Sequence, residues 1–192
     1  MRLYLVRHAQ PDVSEGVCYG STDLPVRSDS QQRALAHLAN ALPKQIPIFS
    51  SPLQRCRTLA VALSHELGAD FPALDARLVE MDFGAWEMRA WSEIPREEVD
   101  AWAADLQAYR PGGGENLYEV ARRVQAFHED LRARRLPAAI VVGHAGTIRL
   151  LLAGIQCTTP EEMVARAAQT ANKIPYGEVA TVNCQSFNMR HR

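Results

Sequence analysis

Two short runs of strand-forming residues, LYLVR at 3–7 and AAIVVG at 138–143, each stop at a histidine, His8 after the first and His144 after the second. IPIFS at 46–50 is a third run of the same kind. All three are continuously apolar rather than alternating. Strands of that composition are buried on both faces, as in a parallel sheet covered by helices. The stretches between them carry the helices such a sheet requires. In SPLQRCRTLAVALSHELG, Leu53, Cys56, Ala60, Leu63 and Leu67 share one face. Ser51 is placed to cap this helix, Pro52 suits its first turn and Gly68 its end. In ENLYEVARRVQAFHEDLRARR, Leu117, Val120, Val124, Phe127 and Leu131 form a second stripe. Segments 31–42, 147–154 and 159–169 read as further helices, and GEVATVNC at 177–184 as a last strand. The alternation predicts a three-layer α/β/α sandwich with a mostly parallel central sheet. The 192 residues suffice for one well-buried domain, expected over 1–192.

Composition narrows the function classes. Charged residues make up 22% and the net charge is −1, so no basic excess points to nucleic acid or an anionic membrane. No apolar run approaches the roughly 20 residues that span a bilayer, and the N-terminus lacks the pattern of a signal peptide. The four cysteines, Cys18, Cys56, Cys157 and Cys184, are far apart and form no C-x-x-C pair. Free thiols and a cytoplasmic location are expected, rather than disulfides or a zinc site. Segments 10–28 and 84–115 are polar, rich in Gly and Pro, and read as long irregular loops, which in a compact domain usually carry function.

In an open α/β sheet, ligands bind beyond the carboxyl ends of the strands. Arg7 and His8 follow the first strand, Arg55 lies in the first turns of the helix after IPIFSS, and GHAG at 143–146 places His144 after AAIVV. Two arginines, two histidines and two helix N-termini then face one crevice, an arrangement suited to phosphate. Taken singly, each has an ordinary reading: a surface Arg-His pair, a histidine bonded to its own loop, an arginine on a solvated helix face. His37, His65 and His128 fall on helical patterns as structural residues, and His191 in a frayed tail. Trp86, Trp91 and Trp102 read as packing residues, although Trp86, Trp91 and segment 112–116 are also expected to border the site.

LVRHAQ, SSPLQRCRTLA, LVEMDFGAWEM, PGGGENLYEVARRV and IVVGHAGTIRLLL resemble, in order, the motifs of the histidine phosphatase (phosphoglycerate mutase-like) superfamily over about residues 1–155. Within it, EMDFGAWEM followed by Trp102, Asp105 and GGGEN looks most like alpha-ribazole phosphatases of cobalamin assembly. The resemblance implies His8 as nucleophile, Arg7 and Arg55 as ligands of the phosphoryl oxygens, His144 as a hydrogen-bond partner of the phosphoryl group, and Glu80 as proton donor. It further implies phosphate or substrate contacts from Ser14, Gly20 and Ser21. The implied substrate is a small phosphomonoester, with no cofactor, no metal, no nucleic acid and no membrane partner; monomer and homodimer both stay open. The chemistry is coherent. An imidazole splits hydrolysis into two displacements, two arginines supply charge around the equatorial oxygens, and a carboxylic acid protonates the leaving oxygen.

The sequence departs from the family pattern at several points. Ala9 and Ala145 stand where Gly usually follows each histidine, and a positive φ there would disfavour alanine. Ser14 replaces a common Asn, and Ser30 and Arg33 replace the usual Gly and Gln. A broad-specificity phosphatase and a mutase are enzyme alternatives, though mutases are usually longer. A small protein-phosphohistidine phosphatase would typically lack FGAWE. A non-catalytic phosphate-binding member of the fold is the alternative of another class. GHAG lacks a nucleophile-elbow Ser, and no H-E-x-x-H appears, which disfavours a serine hydrolase and a zinc enzyme.

Overall fold

A computed structural model describes residues 1–170 and 174–184. The elements run β1 (Arg2–Arg7), α1 (Ser28–Ala41), β2 (Ile48–Ser50), α2 (Gln54–Glu66), β3 (Ala73–Leu74), α3 (Arg96–Ala104), α4 (Leu117–Ala133), β4 (Ala138–Gly143), α5 (Ala145–Gly154), α6 (Pro160–Gln169) and β5 (Val179–Asn183). Among the described residues they form one five-stranded sheet in the order β3-β2-β4-β1-β5. Every neighbour pair is parallel except β1–β5.

The continuous apolar runs explain this order. Leu3 and Leu5 of β1 and Ala139 and Val141 of β4 point to one face, where they pack with Val120, Val124 and Phe127 of α4, Ile148 and Leu151 of α5 and Met163 of α6. Val6, Ile140 and Val142 point to the other face, against Leu38 of α1 and Leu59 and Leu63 of α2. Strands covered twice have no solvent side on which to place polar residues, and the expected three layers follow. The two central strands pair in register from Arg2↔Ala138 to Arg7↔Gly143, so both end at the same height.

Two expectations need correction. Ser51 and Pro52 precede α2 and do not start it; Leu53 is the N-cap and makes no side-chain cap bond. The free Gln54 N–H is satisfied instead by the carboxylate of Asp23, 2.7 Å away in segment 10–28. Segment 84–115 is also not irregular throughout. It holds α3 and three short 3₁₀ turns, at Gly84–Trp86, Trp91–Glu93 and Pro111–Gly113. Its apolar spacing is too short and too dense in aromatics to show a clear 3.6-residue stripe. By contrast α4 begins where its sequence signals it, with Asn116 and Glu119 forming a reciprocal capping box.

Candidate active site

The ends of β1 and β4 open into a cavity of about 460 Å³ whose floor includes Arg7, His8, Arg55, Glu80, His144, Ala145 and Gly146. His8 and His144, each one residue beyond a paired strand end, meet edge to face with ring centroids 5.1 Å apart. His8 Nδ1 donates to its neighbour, the Ala9 carbonyl, at 2.7 Å. A carbonyl can only accept, so the proton sits on Nδ1 and Nε2 keeps its lone pair. Burial, then the charge of Arg55, drives the His8 pKa down to about 3, with Arg7 adding to this and the Ala9 bond opposing it. The imidazole is therefore neutral at neutral pH and nucleophilic at Nε2.

Arg55 is fully buried yet pairs with no carboxylate among the described residues. Its guanidinium donates to the Thr22 carbonyl, the Gly20 carbonyl and His144 Nδ1, the last at 3.2 Å. With Nδ1 accepting from Arg55, the His144 proton lies on Nε2, 2.9 Å from Ser51 Oγ. Burial, then competition with the adjacent His8 for a proton, and the charges of Arg55, Arg123 and Arg7 hold His144 well below the usual histidine range. To touch a phosphoryl oxygen, His144 must exchange one of these two partners. Cys56 Sγ stands 3.4 Å from the same Nε2, and burial pushes its thiol up, so it stays protonated.

Glu80 reaches the floor from segment 79–83. Its Oε2 accepts from Gly146 N at 2.8 Å, in the first turn of α5, and its Oε1 from Met81 N at 3.1 Å. A Cβ on residue 146 would stand 2.5 Å from Glu80 Oε1, so glycine at this point in GHAG lets the carboxylate approach. Arg123 of α4 holds the Glu80 segment from behind, donating to the carbonyls of Arg77, Val79 and Glu80 while gripping Glu115. Neither Ala9 nor Ala145 has a positive φ, so the backbone strain that alanine could bring is absent at both.

The remaining expected residues are placed differently. Gly20 and Ser21 do not line the cavity. The Gly20 carbonyl anchors Arg55, and a Cβ there would meet the Met81 carbonyl at 1.8 Å. Ser21 donates its N–H and hydroxyl to Glu87. That carboxylate also takes Thr22 and Phe83 N–H groups; burial works to raise its pKa, but these bonds outweigh it and hold the carboxyl below its usual range. Ser14 is exposed and lines a neighbouring groove with Val17, Tyr19, Trp91 and Tyr176, outside the floor. Trp86 is core at 1% exposure, its Nε1 donating to Glu98; Gly112 and Gly114 pack on backbone 82–86, and none of residues 112–116 lines the cavity. Trp91 and Trp102 do wall the cavity, stacked at 6.1 Å and 15°, beside Phe83, Leu106 and Leu117. His191 lies outside the described residues.

Sequence reasoning misses Ser51, Glu87, Arg123, Tyr19 and Tyr176 as builders of this site. Glu87 and Arg123 lie inside the motifs quoted above; the tyrosines give no signal beyond their residue type. Three buried donors without a partner among the described residues, Arg7 Nε, Trp102 Nε1 and Arg149 Nε, all belong to residues of this one cavity. Unpaired buried donors suit an acceptor-rich, anionic ligand. No group of three His, Cys, Asp or Glu side chains among the described residues is arranged to hold a metal ion.

Comparison with known proteins gives a consistent picture. The profile of the histidine phosphatase superfamily (branch 1) matches residues 3–178. A Hydrogenobacter thermophilus protein provisionally named phosphoserine phosphatase 2 is 34% identical over 79% of this chain and 76% of its own. The adenosylcobalamin/alpha-ribazole phosphatase of Salmonella typhimurium is 32% identical over 80% of this chain and 78% of its own. The crystal structure of TTHB049 from Thermus thermophilus superposes with a TM-score of 0.71 at 31% identity, covering 95% of this chain and 94% of that one.

Proposed function

From the premise that this chain belongs to the histidine phosphatase superfamily and is a phosphatase, we propose that it hydrolyses small phosphomonoesters through a phosphohistidine at His8. The observation that carries the reading is the pairing of a neutral His8, its Nε2 without a hydrogen-bond partner among the described residues, with Arg7, Arg55 and His144 around one cavity floor. His8 Nε2 attacks phosphorus as the bond to the leaving oxygen breaks, and Glu80 gives that oxygen a proton. Water then attacks the phosphorus of the phosphohistidine, Glu80 takes a proton from it, and His8 is restored as the N–P bond breaks. Arg7 and Arg55 offset the phosphoryl charge throughout, a task that in other phosphatases can fall to a metal.

Alpha-ribazole 5′-phosphate is the substrate we favour. The cavity is larger than a phosphate needs, and its far wall is aromatic and apolar, which suits a leaving group carrying a flat ring system. Phosphoserine is the second reading. The provisional name of the Hydrogenobacter thermophilus relative raises it, and Arg149 in the cavity wall, whose Nε has no partner among the described residues, is a cation that a carboxylate could meet. Steady-state turnover of both esters, with and without EDTA, tests the proposal. Expected is activity that survives chelation and a higher kcat/KM on alpha-ribazole phosphate. Activity lost to EDTA and restored by a divalent ion overturns the mechanism; a preference for phosphoserine overturns only the substrate. Acid quench and peptide mapping should locate the phosphate on His8.

A further inference from the structure

We propose that Tyr176, linked to Tyr19, is a positioning residue that holds the Arg7 guanidinium for the phosphoryl group; the proposal rests on the phosphatase reading above. The Cζ atom of Arg7 lies 3.8 Å over the centre of the Tyr176 ring, and the same ring stands 5.5 Å from the imidazole of His8. Tyr19 sits 5.5 Å from the Arg55 Cζ, and the two tyrosine hydroxyls meet at 2.6 Å. One tyrosine thus accompanies each arginine, and the pair is joined across the mouth of the floor. Tyr19 comes from segment 10–28 and Tyr176 from the turn before β5, so two distant parts of the chain close on one point.

The turn that carries Tyr176 is itself fixed. Gly177 N donates to the carbonyls of both Arg7 and His8 at 3.1 Å. Gly177 has φ +72°, and a Cβ there would stand 2.8 Å from that of Ala34. Arg7 Nη1 donates to the Ile174 carbonyl at 2.8 Å. The ring therefore covers one face of a guanidinium whose Nη1 edge is already held, leaving Nε and Nη2 as donors.

Charge explains why a ring should do this work. No carboxylate among the described residues pairs with Arg7. A carboxylate would orient the guanidinium but cancel its charge before the phosphoryl group arrives. An aromatic face orients it and leaves the positive charge and the edge donors intact.

Titration calorimetry with orthovanadate, beside kcat and KM on p-nitrophenyl phosphate, tests this in Y176F, Y176L and wild type. Y176L should weaken vanadate binding and raise KM by about tenfold, the size of a partly desolvated cation–π contact, with a smaller change in kcat. Y176F keeps the ring and should stay within about threefold of wild type. Vanadate affinity unchanged in Y176L, or a loss in Y176F as large as in Y176L, overturns the proposal. Tyr176 is 37% exposed, so folding should survive, and melting curves check it; should Y176L not fold, Y176M is read by the same criteria. A wild type that binds vanadate but hydrolyses no ester refutes the phosphatase reading while the comparison of variants still decides the clamp. A wild type that binds no vanadate overturns both.

Discussion

The floor and the wall of the cavity are built by opposite means. The floor hangs on β1 and β4, where an unbroken ladder from Arg2↔Ala138 to Arg7↔Gly143 sets the height of both histidines. The wall is made of 3₁₀ turns and a nine-residue helix between 84 and 117, held by aromatic edges and by backbone touching backbone at Gly84, Gly112 and Gly114. Of the groups that must sit within a fraction of an ångström of reacting atoms, Arg7, His8, Arg55 and His144 are at strand ends and helix starts, and Glu80, on segment 79–83, is pinned to the start of α5 through Gly146 N. Groups that need only shape a space are on turns. The difference predicts that the floor decides whether reaction occurs and the wall decides on what.

The hardest blow to that division would come from the floor. His8→Ala should lower turnover by at least about a thousandfold and abolish the trapped phosphoenzyme, with melting temperature little changed. A variant that still turns over at a tenth of the wild-type rate would leave the floor without its chemistry. Next in size is Glu80→Gln. A loss of about a hundredfold is expected on esters with poor leaving groups, and far less on nitrophenyl phosphate, whose leaving group scarcely needs a proton. Equal losses on both would make Glu80 structural.

The wall should answer differently. Trp91→Ala should lower kcat/KM for a bulky aromatic phosphate by about tenfold and leave a small generic ester within about twofold. Trp91 is 37% exposed, so this variant should fold. A parallel loss on both esters would erase the distinction between floor and wall.

The smallest effect concerns stability. Burial drives the pKa of His8 to about 3 and, together with the Arg132 charge, that of His128 to about 4; His144 is lowered too. Between these values and the ordinary 6.5 the unfolded chain binds protons that the folded chain does not. Stability therefore rises with pH in that window and is lost as pH falls through it. His128 belongs to neither region, so His128→Gln isolates one proton. Denaturant midpoints measured from pH 4 to 6.5 should lose a slope of about one proton in this variant, and an unchanged slope would mean His128 is not buried neutral.

The same division governs what the sequence makes legible. LYLVR, IPIFS and AAIVVG announce their strands because double burial leaves their centres apolar, with Arg7 and Ser50 only at strand ends, and a strand end fixes where the next side chain points. Arg7, His8 and His144 follow directly, and Arg55 follows from the helix after IPIFS. Ser51 misleads because a serine before a helix has the composition of a cap, while Asp23, 31 residues before Gln54, supplies that bond in space. Trp86 and Trp91 are five residues apart in one aromatic segment, yet one is core and the other cavity wall; the approach of Cys18 from earlier in the chain and of Ile94 and Tyr109 from later in it separates them. Ser14 carries the right chemistry at the right distance along the chain, but its loop turns it into the neighbouring groove.

The β1–β4 ladder also acts as a reading frame for change in length. Side chains alternate faces along a strand, so deleting one residue inside Leu3–Val6 would exchange Leu3 and Leu5 with Tyr4 and Val6 and pull His8 out of step with His144. Core and chemistry fail together, and a second deletion at the matching rung of β4 would level the two histidines again yet leave the core faces of both strands exchanged. Segments 10–28 and 84–115 lie outside this frame and, away from the Arg55 anchors at Gly20 and Thr22, the Asp23 bond to α2, Glu115 and the close backbone contacts of Gly84, Gly112 and Gly114, can lengthen or shorten at the cost of shape alone. A library of single-residue deletions should then show activity surviving in patches confined to those two segments and to surface turns, and vanishing along both strands; drift in such a chain is free to reshape what it accepts long before it can alter what it does.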